Sequence, residues 1–447
     1  MRLHIANGRL IDPANGVDGQ HDLYLAQGRV VAVGAAPDGF QADRRIDASG
    51  LAVLPGLIDL SARVAQAGHV GHVGHAGQIG HTGHTGQAGF APAELRAALA
   101  GGVTRLVLPP DADGPPDEPG KVEALMRHAQ SGQCAIHPLG AMTVGLAGET
   151  LTEMALLAQA GCIAFSQGES GVADTRVLWG AMHYASGLGQ ALWLRPQDAW
   201  LARETVAASG PYAARLGLEG LPAQAETVAL HTIFELQRAT GARVHLARLS
   251  TAAGLDLLRA ARREGLPVTA DVSANSLHLT DVDIGFFDTN HRLNPPLRGQ
   301  RDRDAIQAAL ADGVVDALCS DHTPVDARGK AAPFASATPG ATGLELLLSL
   351  ALKWARDSRR PIGEALARVT LGPAAVLAAV APRIGPCGHL GVDAPADLCL
   401  ADLDAEWMVM PGALQSRGVH TPFAGMMLPG RVRATVVGGE PAWETPV

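Results

Sequence analysis

Ala97-Ala98-Leu99-Ala100-Gly101-Gly102-Val103-Thr104-Arg105-Leu106-Val107-Leu108 changes its structural period within twelve residues. The Ala/Leu-rich run predicts a helix over about 93–100. The glycine pair stops it, and the Val- and Leu-rich run that follows predicts a strand. The unit recurs: a helix over about 151–159 precedes Cys162-Ile163-Ala164-Phe165. Further strands are expected at Gln190–Leu194, Arg243–Leu246, Val268–Asp271 and Val315–Leu318. Strands alternating with helices over such a length imply a parallel sheet. The size favours an α/β fold closed into a (β/α)8 barrel of the TIM type.

Working outward, the pattern changes at both ends. Leu3-His4-Ile5, Leu23-Tyr24-Leu25 and Val30-Val31-Ala32-Val33 are short strands between Gly, Asn and Asp turns. Asp397-Leu398-Cys399-Leu400 and Arg433–Gly439 resume that pattern. Residues 1–52 and 388–447 are therefore expected to form one small β-sandwich domain, discontinuous in sequence, around a barrel over 53–387. One insertion interrupts the barrel. From 68 to 91 the chain runs in Gly-x-y triplets carrying His69, His72, His75, His81 and His84. The stretch is short and free of proline, so a flexible Gly/His-rich loop is expected rather than a collagen-like helix. Several imidazoles on one loop could wrap a zinc or nickel ion.

Composition excludes several classes. Hydrophobic residues make up 47% and charged residues 18%, as in an ordinary globular chain rather than a disordered one. No continuous apolar run of about 18 residues is read, so no membrane association is expected. The N-terminus reads as strand and turn rather than as a signal peptide, which makes a cytoplasmic location the expectation. Five scattered cysteines without a C-x-x-C pair suggest neither a disulfide frame nor a cysteine zinc site. A net charge of −9 with no basic stripe argues against a nucleic-acid partner.

Several blocks, in order, resemble the dihydroorotase branch of the amidohydrolase superfamily. They are Leu54-Pro55-Gly56-Leu57-Ile58-Asp59-Leu60, the helix-Gly-Gly-strand entry at 97–104, Thr150–Met154 with Ala160-Gly161, and Asn294-Pro295-Pro296-Leu297-Arg298. Ser320-Asp321-His322-Thr323-Pro324, Pro339-Gly340 with Gly343-Leu344-Glu345, and Thr421–Gly425 complete the set.

The resemblance implies a metal-held hydroxide at the C-terminal ends of the barrel strands, held by histidines and carboxylates. In this sequence the four histidine positions fall on Ser61, Arg63, Arg195 and Arg248, and the acidic ligand segment falls on Gln167, with Glu169 nearby but out of register. Only Asp321 keeps its type. The substrate contacts implied by the family fall on Ala65, Asp111 and Val325, and Asp111 would repel an anionic substrate. Three arginines in a metal cavity would repel a cation. Asp59, Asp321 and Glu169 are expected to neutralise them, with Asp321 pairing to Arg63, Arg195 or Arg248. Four isolated histidines elsewhere, His245, His278, His291 and His322, read as core or rim residues rather than ligands.

No catalytic residues and no cofactor are therefore expected, apart from zinc or nickel at the histidine loop. The resemblance extends to degenerate dihydroorotase-like chains that act as structural subunits of bacterial aspartate carbamoyltransferase. It implies a non-catalytic subunit that self-associates as a dimer and supports the transferase catalytic chain in pyrimidine biosynthesis. Two alternatives stand beside it. One is a diverged amidohydrolase, a dihydroorotase or cyclic-amide hydrolase with a remodelled metal site. The other is a metal-binding protein acting through the histidine loop.

Overall fold

The computed structural model describes residues 1–64, 91–111, 114–130 and 134–445. The opening stretch folds as its pattern suggests. Helix α1, Pro92–Ala100, ends where the Gly101 amide donates to Ala97 O and Ala98 O. Gly102 then takes φ +77, the left-handed region that glycine enters without a Cβ penalty. Strand β2, Val103–Leu108, follows at once. A Cβ on Gly101 would sit 2.3 Å from Leu344 O and 2.9 Å from Glu345 Cα, both rigid backbone atoms. Gly101→Ala is therefore expected to destabilise the chain by about 1–3 kcal/mol through overpacking. A urea midpoint unchanged by that substitution would count against this close approach.

The same unit repeats around the barrel. Strand β1 is Leu57–Asp59. After β2 come α2 (Pro119–Gln130), β3 (Ala135–Pro138, continued by Gly140–Ala141), α3 (Met154–Ala160) and β4 (Phe165–Ser166). Then follow α4 (Thr175–Gly187), β5 (Ala191–Leu194), α5 (Gln224–Thr240) and β6 (Arg243–Leu246). Last are α6 (Ala252–Glu264), β7 (Val268–Ser273), α7 (Gln300–Ala311), β8 (Ala317–Cys319) and α8 (Leu347–Asp357).

Each strand pairs in parallel with the next from β1 to β8. A parallel bridge between Ala62 and His322, just past the ends of β1 and β8, closes the ring. The fold is thus the expected (β/α)8 barrel. Its interior is filled by Ile58, Leu60, Val107, Leu139, Trp193 and Cys319, and Val376, Leu377 and Val380 pack against this core from the helix Leu371–Val380.

That helix belongs to the one stretch among the described residues that bears on the membrane expectation. Ile362–Val380 is long and apolar enough to cross a membrane by length and composition alone. Turn residues 368–370 break it into Ile362–Ala367 and Leu371–Val380, and the second piece buries Val376 and Leu377 against the barrel core. Such an apolar stretch is what a core helix also requires, so composition alone does not separate the two cases.

Both termini supply a sandwich of two sheets. One orders the strands Arg29–Val33, Leu23–Ala26, Arg2–Ala6 and Arg44–Asp47. The other orders Glu440–Glu444, Met427–Val437, Leu398–Met408, Ala52–Pro55, Arg9–Asp12 and Val17–Gln20. Alternate residues from both ends of the chain, including Leu3, Ile5, Leu25, Leu398 and Val436, form its shared core.

Candidate functional site

The mouth of the barrel, at the C-terminal ends of the strands, is where TIM-type enzymes place their chemistry. Arg63 follows β1, Asp111 follows β2, Glu169 follows β4, Arg195 directly follows β5, Arg248 follows β6 and Asp321 follows β8. The structure brings these six side chains into one ion-pair array.

Glu169 is its centre. Its Oε1 accepts from Arg63 Nη2 at 2.5 Å and from Arg248 Nη2 at 2.6 Å. Its Oε2 accepts from Arg195 Nη1 at 2.6 Å and from Asn294 Nδ2 at 3.0 Å. Arg63 Nε donates to Asp111 Oδ1 at 2.6 Å and its Nη1 to Thr323 Oγ1 at 3.0 Å. Arg248 Nη1 donates to Asp321 Oδ1 at 2.6 Å, and Arg195 Nη2 to Asn294 Oδ1 at 2.6 Å. Three guanidinium charges therefore face three carboxylates, Asp111, Glu169 and Asp321, and the array is formally neutral.

Electrostatics follow that geometry. Burial opposes ionisation of Glu169, but Arg248, Arg63 and Arg195 outweigh it and hold its carboxyl far below the usual range. Burial also pulls on Arg248, yet Asp321 and Glu169 more than offset it and keep the guanidinium protonated. For Arg195 burial wins and its pKa falls to about 10 despite Glu169. Arg248 and Asp321 both take positive φ, 55° and 54°, a conformation that costs a non-glycine residue energy and concentrates at functional positions.

Beneath the array sits a second, wholly buried layer. Asp271, in β7, accepts from the Arg248 amide at 2.8 Å and lies 2.9 Å from His245 Nε2. His245 Nδ1 lies 2.8 Å from Thr269 Oγ1 and the ring packs against Trp193 at a tilt of 40°, with centroids 3.8 Å apart. His322 likewise pairs with Glu94 of α1 at 3.0 Å, and His278 Nε2 lies 2.9 Å from Leu350 O. These histidines are core residues engaged with partners.

Other positions named from the sequence lie apart. Ser61 is buried, its amide donating to Asp59 Oδ1. Gln167 accepts from Thr143 Oγ1 at 2.9 Å and donates to Leu146 O at 2.7 Å, away from the arginines. Val325 is buried apolar surface. Ala65, His69, His72, His75, His81 and His84 lie outside the described residues.

One expectation is corrected and three are sharpened. Asp59 does not neutralise an arginine: it accepts from Ser61 N, Ser320 N and Ser320 Oγ, and burial pushes its pKa up to about 7. Glu169, out of register in the sequence but expected to help neutralise the arginines, does so as the keystone of the array. Gly168 has φ +66, and a Cβ there would meet Pro110 O at 2.8 Å, so a glycine turn redirects the chain between Gln167 and Glu169. That Gly-Glu step was the available signal. Asp111, read only as a repulsive acid, is a partner of Arg63, and Asn294, named only as part of a family block, bridges Arg195 and Glu169.

Among the described residues no three His, Cys, Asp or Glu side chains group as metal ligands. The donor set at the mouth consists of guanidiniums, which offer no lone pair, and of carboxylates already bound by them. These residues do not fit the metal centre that the resemblance implies.

Comparison with known proteins bears on the family. The dihydro-orotase-like family matches residues 50–253. A "Dihydroorotase-like protein" of Pseudomonas aeruginosa is 39% identical over 98% of this chain and 99% of its own length. A "Dihydroorotase" of Anaeromyxobacter dehalogenans is 36% identical over 98% and 96%. Among solved structures, the L-hydantoinase (dihydropyrimidinase) of Arthrobacter aurescens superposes with a TM-score of 0.82 at 21% identity, covering 100% of this chain and 96% of that one. The full-length sequence relatives lead to one conclusion: this chain belongs to the dihydroorotase-like family.

Proposed function

We propose that this chain is a non-catalytic dihydroorotase-like subunit that associates with the aspartate carbamoyltransferase catalytic chain and supports its assembly or activity in pyrimidine biosynthesis. The observation that carries the non-catalytic part is Glu169 bound by Arg63, Arg195 and Arg248 at once. The resemblance puts metal ligands at those arginine positions, and a dication there would have to break all three ion pairs and face the exposed cations. A barrel that keeps its closure and its core without that chemistry can serve through its surface. Burial against a partner would stabilise that partner by mass action, and dimers of this chain with transferase trimers would satisfy closed symmetry.

Co-expression with the transferase catalytic chain, followed by size-exclusion chromatography, tests the partnership. Co-elution at a size above either protein alone is expected, together with higher or more durable transferase activity. Separate peaks and unchanged activity would remove the partner from the account.

A second reading is a diverged cyclic-amide hydrolase, favoured by the full-length relatives that carry the name dihydroorotase. It would need Asp321, Glu169 and the histidines of the 68–91 loop around a single metal. Deleting that loop abolishes metal uptake under this reading and leaves transferase association intact under the first.

A further inference from the structure

Arg195 and Arg248 also wall a second space, together with Arg298, Glu226 and Ser250. Its volume is about 10 Å3, close to what one water molecule occupies by this measure. We propose that this cavity is a binding site for one small inorganic anion of chloride size.

Its walls carry three guanidinium groups and one carboxylate. Arg195, Arg248 and Arg298 are 8%, 4% and 6% exposed. Glu226 is the one carboxylate among the lining residues, and its oxygens are already engaged. Oε2 accepts from Ser250 N and Oγ at 2.8 and 2.7 Å, and Oε1 from Thr251 N and Oγ at 3.0 and 2.6 Å. Arg298 donates only to neutral acceptors, Nη1 to Leu221 O at 2.7 Å and Nε to Ser250 Oγ at 3.3 Å. Arg248 Nε is buried and has no hydrogen-bond partner among the described residues.

A buried donor without an acceptor costs about 1–3 kcal/mol, and more when the group is charged. A water molecule would satisfy such donors only by finding acceptors for its own two hydrogens. An anion accepts from every side and donates nothing, so it fits this lining better. Burial also lowers the pKa of Arg298 despite Glu226 and Asp302, as expected for a cation without a close counter-charge. A carboxylate- or phosphate-bearing metabolite is too large for this volume. The site depends neither on the transferase nor on the loss of catalysis.

Crystals of the full chain grown in bromide, with data collected at the bromine edge, test the proposal. An anomalous peak within hydrogen-bonding distance of Arg248 Nε or the Arg298 guanidinium is expected. Bromide peaks only on the outer surface would overturn it, as would ordered water without anomalous signal in the cavity. In solution, the thermal midpoint should rise with chloride relative to gluconate at matched ionic strength, and Arg298→Lys should flatten that rise. Equal midpoints for the wild-type chain in the two salts would contradict the site independently of any variant.

Discussion

Glu169→Ala is expected to lower the stability of the chain by roughly 2–4 kcal/mol at neutral pH, read as an earlier midpoint in urea. One carboxylate here compensates three guanidiniums, of which Arg195 and Arg248 have side chains only 4% exposed. Removing it leaves buried cations facing one another, with Asp111 and Asp321 paired at the edges of the array. The figure lies below the range for a wholly buried pair because the Glu169 side chain is 34% exposed and water can partly replace it. Glu169→Gln keeps the hydrogen-bonding shape without the charge and should fall between alanine and the native residue.

The pH dependence has a definite sign. The folded-state pKa of Glu169 is depressed, so its contribution is fully present above its unfolded value, about 4.3, and is lost as pH falls toward the folded value. Native and Glu169→Ala stabilities should therefore differ most near neutrality and converge in acid. Equal stability at pH 7 would mean that the array is a loosely solvated cluster rather than a structural element.

Asp271→Ala is expected to cost about 3–5 kcal/mol, because it removes a fully buried acceptor and leaves the Arg248 amide and His245 Nε2 without their partner. Both Asp271 and His245 have side chains that are 0% exposed. The carboxylate also takes the Arg248 amide at 2.8 Å and lies 3.5 Å from Cys319 Sγ, so it ties β6, β7 and β8 together. Because Arg248 holds φ 55°, loss of that amide bond should also release the guanidinium from Glu169 and Asp321. Asp271→Asn, which can still accept from the amide, should recover part of the loss. Guanidinium denaturation of the three proteins checks this, and an alanine variant within about 1 kcal/mol of wild type would contradict it.

The barrel was legible because the helix-Gly-Gly-strand unit at 97–108 is a local signal that the chain repeats. Strand limits were less so: the strand expected at Val315–Leu318 lies at Ala317–Cys319, and the expected Cys162–Phe165 strand is Phe165–Ser166. At those ends hydrogen bonding to neighbouring strands, not side-chain pattern, sets the register. The arginine positions at the mouth were readable by register with the family motifs. Glu169 was expected to help neutralise them, but its place as the common partner of all three was not readable, because a single left-handed glycine shifts its side chain relative to the strand before it. Nor were Asp111 and Asn294 as partners, since their meeting with Arg63 and Arg195 spans 48 and 99 residues of chain. Asp59 was misassigned because its acceptors are filled by Ser61 and Ser320, a contact that spacing along the chain does not reveal.

The most direct test of the central claim is metal content and dihydroorotate turnover measured together, on chain purified without an affinity tag and incubated with zinc. The account predicts no turnover in either direction of the ring reaction, and no ion that survives deletion of residues 68–91. A stoichiometric ion retained after that deletion, accompanied by hydrolysis of dihydroorotate, would show that the arginine array gives way to a working metal centre and would contradict it.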